Sequence, residues 1–295
     1  MRKWLVILAV AVMLCGVGVI LYPLVSNELA ANRQEQVILD NEQQLADTSD
    51  DELTAAMTAA AQYNTVLRGA VVDGSAASAD YYSLLNVAGD GVMGVLEIDK
   101  ISLRLPIYHG TDEEFLQKGV GHIYGTSLPI GGKGTHAALS GHSGMAGQKM
   151  FSDLHQIVVG DRFTLQVLGQ RMVYEVDSVT TVLPHEAEGL AIEADKDMVT
   201  LVTCTPFGVN THRLLVRGVR VTETVSDEPT KAPPANDETL EPTGSTWYAE
   251  YRSALMLGLG GGGVIIAAAV VYLLITKRKR KGAETNGRQR IHCVI

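Results

Sequence analysis

From Val92 onward, apolar and polar residues alternate with a period of two. In "ISLRLPIY", Ile101, Leu103, Leu105 and Ile107 alternate with Ser102, Arg104, Pro106 and Tyr108, the pattern of a strand with one face in a core. "DRFTLQVLGQRMVYEVDSV" sets Phe163, Leu165 and Val167 before a Gly-Gln turn and Met172, Tyr174 and Val176 after it, which predicts a hairpin. "VTLVTC" and "RLLVRGVRV" add two more strands. Short strands separated by turn residues predict a closed or nearly closed β-barrel over residues 92–222.

The rest of the chain lacks this period. Trp4 to Asn27 and Ser253 to Thr276 are uncharged stretches of 24 residues each, long enough to cross a bilayer as helices. Residues 1–27 therefore read as an uncleaved N-terminal anchor, since no small-x-small cleavage site follows, and 253–276 as a second span. Residues 28–68 are acidic and alanine-rich and predict a helical stalk, with Thr48 or Ser49 as a helix cap. Residues 69–91, "GAVVDGSAASADYYSLLNVAGDG", are rich in small residues and aperiodic and predict an irregular loop. Residues 223–252 hold four prolines and seven acids, a composition that buries too little apolar surface to fold, and predict a linker.

Charge then orients the chain. Arg2 and Lys3 precede the first span, and a basic tail over 277–295 begins with Lys277–Lys281, so both termini are expected in the cytoplasm and the body outside a cell membrane. The intervening residues 4–276 carry 15 basic against 32 acidic residues, which argues against nucleic acid as a partner. Cys15 lies in the first span and Cys293 in the tail, leaving Cys204 alone outside with no disulfide partner.

Cys204 sits in "VTLVTCTPFGVNTHRLLVRG", residues 199–218. A lone cysteine in an apolar strand is either a small core hydrophobe or a thiol kept for chemistry. A nucleophilic thiol needs a base or cation nearby, and histidine is the usual partner. Seven histidines lie between the spans: His109, His122, His136, His142, His155, His185 and His212. Pattern ranks His142 first, because it follows an apolar run and precedes the flexible "SGM" turn. Arg213 opens the strand that would lie beside the cysteine strand, where a guanidinium offers a fixed fork of donors to an oxyanion. A zinc site is a poor reading of the same residues, with no second thiol and no His-x-x-x-His pair.

"TLVTCTPFGVNTHRLLVRG" closely resembles the signature of class C, pilus-assembling sortases of Gram-positive bacteria. The likeness extends over about Gly91 to Val221, through "MGVLEIDKISLRLPIYHGT", "LQKGVGHIYGTSLPIGGKGTHAALSGHSG", "MFSDLH" and "GDRF". The resemblance implies a mainly β fold, an eight-stranded sortase-type β-barrel with N-terminal helices, flanked by two transmembrane helices. It implies a cysteine transpeptidase that needs no cofactor and no metal, with Cys204 as nucleophile, His142 as general acid/base and Arg213 as oxyanion or substrate stabiliser. The implied partners are pilin subunits and other surface proteins with LPXTG-like signals, cut between Thr and Gly and joined to a lysine amine. Sortases that attach proteins to cell-wall peptide share this chemistry, and a non-catalytic scaffold for pilus assembly is the reading from a different class. In two places the sequence departs from the family pattern. The usual Asp-Pro-aromatic lid motif is absent, since Gly74 follows Asp73, so a lid would act through Asp73 or Tyr81. Ser143 follows the histidine where Arg or Thr is common.

Overall fold

The computed structural model describes residues 2–67, 80–145, 147–186 and 188–221. Eight strands close into a barrel: β1 (Val92–Ile98), β2 (Leu103–His109), β3 (Val120–His122), β4 (Thr135–Ser140), β5 (Arg162–Val167), β6 (Gln170–Val182), β7 (Asp197–Thr205) and β8 (His212–Arg220). The order around the barrel is β1-β2-β3-β4-β7-β8-β6-β5, and β1 pairs with β5 to close it. The sheet is mixed, because β2–β3 and β4–β7 are parallel pairs among antiparallel ones.

Alternation in the sequence becomes inside and outside here. Leu105 and Ile107 of β2, Leu165 and Val167 of β5, and Leu201 and Val216 of β7 and β8 are at most 1% exposed and fill one core. The expected hairpin is β5–β6, with Val167 opposite Gln170. Its two-residue loop is Leu168-Gly169, one position earlier than expected, and both residues have positive φ (46° and 77°), the backbone that a tight hairpin requires. At the closing seam a Cβ on Gly94 would lie 2.4 Å from the Gln166 carbonyl oxygen and 2.8 Å from Val167. Gly94→Ala forces β1 away from β5 and is expected to cost roughly 1–3 kcal/mol in urea unfolding.

Before the barrel come α1 (Arg2–Asp47) and α2 (Asp50–Leu67). Ser49 caps α2: its Oγ accepts from the Glu52 N–H at 3.3 Å and donates to the Glu52 carboxylate at 3.1 Å. The part of the chain expected as a stalk lies on the barrel itself. Leu45, Leu53, Ala56, Met57 and Tyr63 pack against the core. Asn64 bonds both the N–H and the C=O of Leu128, as a neighbouring strand would (2.7 and 3.1 Å). Arg104 reaches Glu35 and Glu42 of α1 at 2.7 Å each and Glu97 of β1 at 2.8 Å.

Among the described residues no helix is long and apolar enough to cross a membrane. The transmembrane helix expected at 1–27 is therefore not shown. The first uncharged stretch lies within α1, which runs on unbroken into polar sequence. The second stretch, the linker 223–252 and the tail 277–295 lie outside the described residues.

Candidate active site

β7 and β8 pair antiparallel with Cys204 opposite Arg213, Val202 opposite Leu215 and Thr200 opposite Arg217. Directly opposed residues project from the same face. The alternate set, Val199, Leu201, Leu214 and Val216, belongs to the core cluster. Cys204 and Arg213 thus sit side by side on the outer face of the barrel, partly exposed. That placement decides against the core-hydrophobe reading of Cys204. His212, whose face the sequence left open, pairs with Thr205 and so projects to the opposite side from Arg213.

On the same outer face lies a groove of about 250 Å³. Ser140, Val202 and Leu215 line it, with Leu183 and Leu190 from the β6–β7 connection and Arg213 beside them. Cys204 does not line it; it follows Val202 by two positions on the same face. The Arg213 guanidinium is braced against its own loop, with Nη1 donating to the carbonyls of Asn210 (3.3 Å) and His212 (3.0 Å). Nη2 and Nε make no hydrogen bond to the described residues.

His142 follows β4 and is fixed to the cysteine strand by its neighbour. The Gly141 N–H donates to the Val202 carbonyl at 3.1 Å, and the buried Thr203 hydroxyl donates to the Gly141 carbonyl at 2.7 Å. One residue on, the Phe151 N–H donates to the His142 carbonyl at 2.9 Å. Only glycine fits at 141, because a Cβ there would stand 2.7 Å from the Phe151 ring. Phe207 of the β7–β8 loop packs over Gly144, within 3.2 Å of where its Cβ would lie, which brings that loop against the histidine turn.

No local pattern marks Glu113. It opens the short helix α3 (Glu113–Leu116), and its Oε2 stands 3.3 Å from His142 Nε2. The two are within ion-pairing reach but off the line of a hydrogen bond, so the shielded Nε2 has no hydrogen-bond partner. The Gln117 amide, and after it His142, hold the Glu113 carboxyl below its ordinary range.

Asp73 lies outside the described residues. Tyr81 is 1% exposed and sits in the body, its hydroxyl 2.7 Å from His122 Nδ1 and accepting from the Gly110 N–H at 3.1 Å. It anchors the segment that follows residues 68–79 to the ends of β2 and β3. Of the other histidines, His109, His122 and His136 are buried and hydrogen-bonded to backbone carbonyls. Burial pushes the His122 imidazole down to about 4 and lowers His109 and His136 as well. An unfolded histidine titrates near ~6.5. Between those values the unfolded chain binds more protons, so the stability is complete above the window and is lost as pH falls through it. Urea unfolding is expected to show a loss on the order of 2 kcal/mol between about pH 7 and about pH 5; equal midpoints would contradict a neutral, buried His122. Among the described residues, no group of three or more metal-binding side chains occurs.

The family model for the sortase domain matches residues 96–221. Sortase D of Bacillus subtilis (strain 168) is 32% identical over 132 residues, which is 44% of this chain and 64% of that relative, just under two thirds of its length. Among solved structures, sortase C1 of Streptococcus agalactiae is 42% identical, with a TM-score of 0.62 over 64% of this chain and 99% of that one. Sortase C-1 of Actinomyces oris is 43% identical, with a TM-score of 0.54 over 58% of this chain and 99% of that one. With the cysteine and arginine strands of the signature paired in one barrel, and with these likenesses covering nearly the whole of two class C structures, the chain belongs to the sortase family, in class C.

Proposed function

We propose that the protein is a cysteine transpeptidase that joins pilin subunits. The observation that carries this reading is the cross-strand pair Cys204–Arg213 on the outer face, beside a groove of mixed polar and apolar lining and near a histidine whose neighbour is bonded to the same strand. An extended LPXTG-like signal lies in the groove. The Cys204 thiolate attacks the carbonyl carbon of the Thr-Gly bond, and the oxyanion that forms takes hydrogen bonds from the free arm of Arg213. The C–N bond breaks as His142 delivers a proton to the departing glycine amine, leaving a thioester on Cys204. A lysine amine of the next subunit then attacks this thioester and gives its proton to His142. The C–S bond breaks, and an isopeptide bond links the two subunits. The apolar stretches at 4–27 and 253–276 hold the chain in the cell membrane with the barrel outside and both termini inside, where assembling subunits pass.

Incubating the full-length chain with pilin subunits that carry the signal tests the reading. A ladder of covalently joined subunits is expected. Adducts to cell-wall peptide alone would overturn it.

A further inference from the structure

We propose that Glu113 is the positioning residue of His142, holding the imidazole through Nε2 and supplying the counter-charge when the ring takes up a proton. The inference deepens the function proposed above and rests on it.

Both partners stand on fixed backbone. The start of α3 is set by the Gly110 N–H bonded to the buried Tyr81 hydroxyl at 3.1 Å, and its first turn closes with the Phe115 N–H on the Asp112 carbonyl at 3.0 Å. The His142 backbone is fixed by Phe151 on its carbonyl and by the Gly141 bonds to β7. Only side-chain torsions separate the present 3.3 Å contact from a hydrogen bond. Long or misaligned contacts of this kind tighten in the substrate complex.

The two carboxylate oxygens are already divided between tasks. The Gln117 amide donates to Oε1 at 2.9 Å, which leaves Oε2 for the histidine. Of the three consecutive acids Asp112, Glu113 and Glu114, only Glu113 is in contact with the imidazole among the described residues. Nε2 itself is shielded from solvent, so water does not substitute for the carboxylate. With Nε2 engaged there, Nδ1 is the nitrogen left to exchange protons with the thiol and with the leaving and entering amines. A base oriented by a third group is the arrangement that nucleophilic catalysis uses generally, reached here with an exposed carboxylate from a separate short helix.

Steady-state cleavage of a sorting-signal peptide by the full-length chain tests this with Glu113→Gln, Gln117→Ala and the double variant. Glu113 is 63% exposed at its side chain, and Gln117 is exposed beside it, so the variants keep the fold. Glu113→Gln is expected to lower kcat about tenfold with KM within about twofold, because a positioning group acts in the transition state and not in peptide binding. Gln117→Ala is expected to lower kcat about threefold alone and to cost nothing further on top of Glu113→Gln, since it acts only through that carboxylate. An unchanged kcat in Glu113→Gln, a rise in KM alone, or independent losses in the double variant would each overturn the proposal. If the unaltered chain forms no thioester with the peptide, it is the transpeptidase reading that fails, and that outcome is separate from any of these.

Discussion

Cys204→Ala is expected to abolish peptide cleavage and subunit joining, a loss of at least about 10⁴-fold, while the chain unfolds at the same urea concentration as before. The first half follows from covalent catalysis: without the sulfur there is no acyl-enzyme, and neither Arg213 nor His142 supplies a nucleophile in its place. The second half follows from the face on which the thiol sits. Cys204 projects away from Val199, Leu201 and Val216, and it is absent from the core cluster. Its removal therefore opens no cavity, and the stability change is expected to stay within about 0.5 kcal/mol. A peptide-cleavage assay and urea unfolding on the same preparation check both halves. Subunit joining that persists in Cys204→Ala would favour a scaffold over an enzyme.

Arg213→Lys is expected to lower kcat by about 10²–10³ with a smaller change in KM, although the charge is kept. The guanidinium spends Nη1 on two loop carbonyls, those of Asn210 and His212, while Nη2 and Nε make no hydrogen bond to the described residues. One ammonium cannot brace the β7–β8 loop and meet an oxyanion at a fixed position at once. Such a donor matters most when negative charge develops on the carbonyl oxygen, so the loss belongs in kcat. Measuring kcat and KM separately with a sorting-signal peptide decides it; a loss confined to KM would make Arg213 a binding residue only.

How far these residues could be read from the chain depends on the range of the interaction. The strand pattern around Cys204 is local: Val199, Leu201 and Thr203 alternate with Thr200, Val202 and Cys204, and the barrel turns that alternation into core and outer face. The cap at Ser49 and the β5–β6 hairpin were legible for the same reason, since each is written within a few residues. Closure of β1 on β5 spans some seventy residues, and no local period announces it. The packing of α1 and α2 on the barrel was hidden because an alanine-rich, acidic segment looks alike whether it is free or docked. What distinguishes it is Arg104 of β2, which gathers Glu35 and Glu42 of α1 and Glu97 of β1. Tyr81 illustrates the same limit. Its neighbourhood of small residues reads as a loop, yet the ring is buried among Tyr63, Tyr82, His109, His122 and Tyr124. The setting of His142 between an apolar strand and a glycine turn is local and readable, whereas the Thr203 and Gly141 bonds that fix it there are contacts across the sheet. Glu113 lies 29 positions before His142 in a plain acidic run, so only the fold brings the two together.

The central claim is that Cys204 carries the acyl group between two subunits, and intact-mass spectrometry of the full-length chain mixed with an LPXTG-containing peptide tests it most directly. The account predicts that the chain gains the mass of the peptide's acyl fragment ending in threonine, with the glycine-led fragment released. It also predicts that the added mass maps to Cys204 and that hydroxylamine or a lysine amine removes it. No gain in mass, or an adduct on any residue other than Cys204, would contradict it.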